Sequence, residues 1–144
     1  MNEKYMCYCG LYCENCPIKV KIEPASKKLY DEMKKARFDE VVHMIPNGNI
    51  FWSFLKSMVD PGVCISCKEG GGNPECTIRI CAEEKDVEMC ALCESYPCEE
   101  FKEFFKAQPI LKHDNLLLKE KGLEAWSKLQ DERRKKGFTY SDDK

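Results

Sequence analysis

The sequence predicts a mainly α-helical domain interrupted by an irregular, cysteine-rich middle. Three observations carry that prediction. Apolar residues recur at helical spacing on both sides of the chain's central third. That third, residues 62–97, holds few large apolar side chains. Ten of the eleven cysteines fall in short-spaced clusters: Cys9, Cys13, Cys16, then Cys64, Cys67, Cys76, Cys81, Cys90, Cys93 and Cys98. A chain of 144 residues, 43% hydrophobic, fits one domain with a real core. The expected organisation is a single domain, 1–144, with helical parts 1–61 and 99–144 flanking a cysteine-rich segment 62–98.

The elements follow in order. Pro17 suits the first turn of a short helix through Ile18, Val20 and Ile22, which Pro24 ends. Ser26 is an N-cap type and starts the next helix. Its apolar residues Leu29, Met33 and Ala36 face away from Phe38, Val41, Val42 and Ile45, so a break near Ala36–Arg37 is expected. Pro46-Asn47-Gly48-Asn49 is a turn. A third helix, Ile50 to Val59, sets Phe51, Leu55 and Met58 on one face beside Trp52, as core. Asp60-Pro61-Gly62 opens the cysteine-rich region, and Glu69 to Pro74 is a Gly-rich loop. Ser95 caps a helix carrying Phe101, Phe104 and Phe105. Pro109 opens another, which Gly122 terminates. A last helix holds Leu123, Trp126 and Leu129 and ends in Arg133 to Lys136 before Gly137. Phe138-Thr139-Tyr140 packs or adds a short strand, and Ser141 to Lys144 fray.

The cysteines decide the chemistry. No positive n-region precedes a long apolar run at the start of the chain, and no stretch approaches the length of a membrane span. A cytoplasmic chain is expected, and there clustered cysteines read as metal ligands or redox groups. The middle segment cannot pack itself, so metal ligation is what would order it. Two residues between cysteines let both sulfurs of a tight turn reach one ion. Cys64-x2-Cys67 and Cys90-x2-Cys93 are the strongest such pair. Cys76 and Cys81 could instead close on Cys64 and Cys67, leaving Cys90, Cys93 and Cys98 to take a ligand from Cys9, Cys13 or Cys16. The spacing leaves both arrangements open. Zinc is the expected ion, two per chain, with an iron–sulfur cluster as the alternative. Two four-thiolate zinc sites would move the formal charge from −2 to about −6, which argues against a broad nucleic-acid-binding surface. Cys7 lies outside the spacing pattern and reads as a small half-buried residue.

These motifs resemble a known family. Cys9-Gly10-Leu11-Tyr12-Cys13-Glu14-Asn15-Cys16-Pro17 looks like the opening of DUF3795, small cysteine-rich prokaryotic proteins of unknown function. Cys76-Thr77-Ile78-Arg79-Ile80-Cys81-Ala82 and Cys90-Ala91-Leu92-Cys93-Glu94-Ser95-Tyr96-Pro97-Cys98 are similar to its later motifs. The tail from Gly122 to Tyr140 also fits, so the resemblance covers nearly the whole chain. It implies a small zinc-binding α or α+β domain, and Cys7 and the Gly-rich loop depart from it.

Nothing points to catalysis. His43 and His113 stand alone within helical patterns, and no Ser/His/Asp grouping or phosphate-cradling loop occurs. Arg133 to Lys136 match a helix C-terminus rather than a nucleic-acid patch. The function expected is a metal-binding, non-enzymatic scaffold for a protein or nucleic-acid partner, with a redox protein as the alternative.

Overall fold

The structure, a computed structural model, describes residues 3–142. It is mainly helical, and its one β feature among those residues is an isolated antiparallel bridge between Met6 and Tyr12. No described helix is long and apolar enough to cross a membrane. The chain forms two compact units: Met1–Cys16 with Ser66–Lys144, and Pro17–Ile65.

The second of these units is all helix and turn. A π-helical turn, Ile18–Ile22, runs straight into α1, Glu23–Lys35. Pro24 therefore does not stop a helix. It sits in the first turn of α1, where its missing N–H has no partner to lose. Ser26 is likewise no cap: it lies buried inside α1, its hydroxyl 3.8 Å from Met58 Sδ. The expected break is present. α1 stops at Ala36, Arg37 adopts a left-handed φ of 57°, and α2 spans Phe38–Val41. α3 is Gly48–Ser57, followed by a second π turn, Met58–Gly62. Val42, Trp52 and Leu55 form the core, with Tyr30 stacked on the Trp52 ring at 5.0 Å. Phe51, expected in that core, is exposed. The buried side of α3 is a narrow stripe at Trp52 and Leu55, and Phe51 falls off it.

The other unit packs α4 (Thr77–Glu84), α5 (Glu99–Ala107) and α6 (Ile110–Lys135) with the N-terminal loop. Its core joins Met6 and Tyr12 to Ile78, Met89, Tyr96, Phe101, Leu118 and Trp126. The middle of the chain thus does bury apolar groups. Ile78, Met89 and Tyr96 are few, but they pack against partners far along the sequence. α6 is broken at Gly122. Sixteen residues of straight helix span about 24 Å, yet Gln130 Nε2 donates to Asp114 Oδ2 at 2.9 Å. The halves 110–121 and 123–135 therefore fold back on one another. Asp114 also takes a hydrogen bond from the Arg133 guanidinium, and Gln130 Oε1 accepts one from Asn15 Nδ2 at 2.8 Å. This buried chain of contacts ties the tail to the loop holding Cys13 and Cys16. Tyr140 adds to the tie: its N–H donates to the Asn15 carbonyl, and its hydroxyl accepts from the Tyr12 N–H at 2.9 Å. Ser141 and Asp142 are bonded to Thr139 rather than frayed, while Asp143 and Lys144 lie outside the described residues.

Candidate metal centre

All eleven cysteines are free thiols. Two of the Cys-x2-Cys pairs fold as the spacing suggests. The Cys16 N–H donates to the Cys13 carbonyl and the Cys93 N–H to the Cys90 carbonyl, both at 3.0 Å. Each closes a single tight turn. The third pair is divided: Cys64 falls in one compact unit and Cys67 in the other.

Cys81, Cys90, Cys93 and Cys98 line one cavity of about 20 Å³, together with Tyr96, Val87 and Lys85. The four side chains arrive on three local elements. Cys81 comes from α4, Cys90 and Cys93 from their turn, and Cys98 from the N-cap position of α5, where Ser95 was expected. This grouping is neither of the two that spacing suggested, because α4 carries Cys81 to the Cys90 turn and away from Cys76. Burial and the neighbouring thiols Cys9, Cys81, Cys98 and Cys93 push the Cys90 thiol up to about 12. Burial likewise pushes the Tyr96 phenol up to about 12.

A second group of sulfurs forms in the N-terminal loop. Cys7 Sγ is 3.5 Å from Cys13 Sγ. That contact, with the neighbouring thiols Cys67 and Cys9 and burial, holds the Cys7 thiol far above its ordinary range. Cys67 is pushed down to about 6, first by the Cys7 hydrogen bond and then by the Tyr8 N–H and the cations Arg79 and Lys68. Cys9 is lowered by Cys7 and by the Leu11 N–H. The two groups are joined through backbone, since the Cys90 N–H donates to the Tyr8 carbonyl at 2.8 Å. Cys16 ends the turn begun at Cys13, Cys76 occupies the N-cap of α4 against the core, and Cys64 Sγ lies 3.9 Å from the Ile65 carbonyl. Both histidines are exposed.

As they stand, no three or more His, Cys, Asp or Glu side chains among the described residues are arranged to hold a metal ion. The donor chemistry nevertheless suits one. Four cysteines, whose sulfurs are soft ligands, are among the residues lining a cavity little larger than the roughly 10–15 Å³ one water occupies.

The family model for a protein of unknown function, DUF3795, matches residues 5–103, which hold every cysteine. The chain belongs to the DUF3795 family. No curated protein and no solved structure matches it. The DUF3795 match stops inside α5, so the tail from Gly122 to Tyr140 lies beyond it, although the motif resemblance extended that far.

Cys7, expected as a small half-buried residue, is half-buried, and its sulfur lies 3.5 Å from that of Cys13.

Proposed function

We propose that the chain is a metal-binding scaffold without catalytic activity, acting in the reducing cytoplasm, and that its ion is zinc. One observation carries this reading: Cys81, Cys90, Cys93 and Cys98 surround a single ion-sized cavity. Four thiolates would close the coordination sphere and leave no position for substrate, as in structural zinc sites. Soft thiolates offered by paired tight turns favour zinc. When bound, the ion supplies folding energy through its bonds to sulfur.

The partner this reading favours is a protein. The unit Pro17–Ile65 presents Met44, Ile50 and Phe54 at 73%, 71% and 62% exposure, which suits apolar contact. Some of the basic groups are paired with acids: Arg134 with Glu14, Arg133 with Asp114, and Lys34 with Asp39.

Elemental analysis with a visible spectrum, on protein purified without oxygen, tests the assignment. Colourless protein carrying about two zinc ions per chain is expected. Brown protein containing iron and sulfide would replace the scaffold by an electron carrier. Cys93→Ser should lose metal and lower the melting temperature together, because ligation energy is folding energy. Unchanged metal content and melting temperature in that variant would contradict the site.

A further inference from the structure

We infer that Cys7 and Cys13 form a reversible dithiol–disulfide pair, a redox modification site in the N-terminal loop. The inference needs no metal and goes beyond the scaffold reading, whose cavity uses neither residue.

The backbone sets the pair. Met6 and Tyr12 form an antiparallel bridge, the Cys7 N–H donates to the Leu11 carbonyl at 2.8 Å, and the Gly10 N–H donates to the Cys7 carbonyl at 3.0 Å. Asn115 of α6 braces this loop, its Nδ2 donating to the Cys9 carbonyl at 2.9 Å. At the far end Cys13 opens the turn whose Asn15 is bonded to Gln130 and Tyr140. These ties bring the two sulfurs to 3.5 Å. A disulfide needs roughly 2.05 Å, so closure takes an approach of about 1.5 Å. Cys9 and Cys67 also neighbour Cys7, and the 3.5 Å contact selects Cys13 as its partner.

The co-reactant is a small disulfide such as oxidised glutathione. Cys7 is half-buried and Cys13 buried, so the small disulfide meets Cys7 first. The Cys7 sulfur loses its proton, attacks one sulfur of that disulfide, breaks its S–S bond and releases one thiolate. The Cys13 sulfur then loses its proton and attacks the Cys7 sulfur of the mixed disulfide, forming the internal bond and releasing the second thiolate. Two electrons pass from the protein to the small disulfide, and the two protons end on the released thiols. Burial and the neighbouring thiols keep Cys7 protonated, which makes the first attack slow, so the pair is read at equilibrium.

The test takes the full chain, purified without oxygen, to equilibrium in buffers of stepped reduced-to-oxidised glutathione ratio. Thiols are trapped by alkylation and links are mapped by mass spectrometry. Cleavage after Tyr8, Tyr12 and Glu14 puts Cys7, Cys9, Cys13 and Cys16 on separate peptides. The first link to appear should join Cys7 to Cys13, make the protein lighter by two hydrogens, and vanish when reduced glutathione is restored. In Cys7→Ser protein, Cys13 should stay unlinked at the ratio that closes wild type. A first link between any other pair, glutathione left on Cys7 with Cys13 still a thiol, or thiols that persist at every ratio each overturns the pair. The wild-type map stands on its own where the variant fails to fold. Metal content of the same sample separates the two readings. Protein without zinc that still closes Cys7 to Cys13 removes the scaffold alone, whereas zinc-loaded protein whose Cys13 resists closure removes the pair alone.

Discussion

Tyr140 carries two opposing effects in one hydroxyl. It accepts the Tyr12 N–H, and burial holds its phenol above the ordinary value of 10. Removing the acceptor leaves a buried N–H unpaired, so Tyr140→Phe should lower stability by roughly 1–2 kcal/mol near neutral pH. The pH dependence has a definite sign. A group whose folded pKa is raised gives stability that is complete below its unfolded pKa and is lost as pH rises through the folded one. Wild type should therefore lose stability above about pH 10, where the phenol ionises in the unfolded chain while burial keeps it protonated in the folded one. Tyr140→Phe lacks that group, so the gap between the two proteins should narrow on the alkaline side. Urea denaturation of both, in reductant, at neutral pH and above pH 10 measures it. A gap that widens with pH would contradict the buried-phenol argument. Cys7 makes a related point about single residues. Its spacing gives it no partner, and only the loop that returns Cys13 beside it brings the two sulfurs to 3.5 Å.

Helices were legible in the sequence where apolar period and breaker agreed. The break at Arg37 and the two halves of α6 were both readable, because Gly122 and the left-handed turn interrupt clear patterns. Caps were less legible. Ser26 and Ser95 have the chemistry of an N-cap, but Ile22 and Cys98 occupy those positions. In the first case the π turn carries the helix through Pro24. In the second, Cys98 takes the extended conformation from which α5 begins. The core of the cysteine-rich unit was the least legible part, since Ile78, Met89 and Tyr96 gain partners only through contacts distant in sequence. Gly122 gives a prediction at this scale. Its φ of 80° and ψ of 178° belong to a region essentially reserved for glycine. A Cβ there would meet no atom within 4 Å, so the penalty is conformational alone. Gly122→Ala should destabilise the protein by about 1–3 kcal/mol. Gly10→Ala should be worse, because its Cβ would fall 1.9 Å from Asn115 Oδ1, displacing the amide that bonds the Cys9 carbonyl. Chemical denaturation of the two variants side by side gives the order, and equal losses would remove the distinction.

The two compact units differ in what sustains them. Pro17–Ile65 holds one cysteine, Cys64, and a core centred on Trp52. The other unit holds the remaining cysteines and buries Trp126 completely. The chain has two tryptophans, so each reports on one unit. If sulfur–metal bonds supply much of the folding energy of the cysteine-rich unit, chelation under reducing conditions should act there alone. In Trp52→Phe protein, emission then comes from Trp126 and should shift to longer wavelength as zinc is withdrawn and water reaches the ring. In Trp126→Phe protein, emission comes from Trp52 and should stay in place, because Val42, Leu55 and Tyr30 surround it without help from an ion. Restoring zinc should reverse the first change. Emission from Trp52 that moves in step with Trp126 would show that the helical unit depends on the metal as well. Emission from Trp126 that ignores chelation would mean that Met6, Tyr12, Phe101 and Leu118 hold the core unaided, and the sulfur clusters would then need a role other than support.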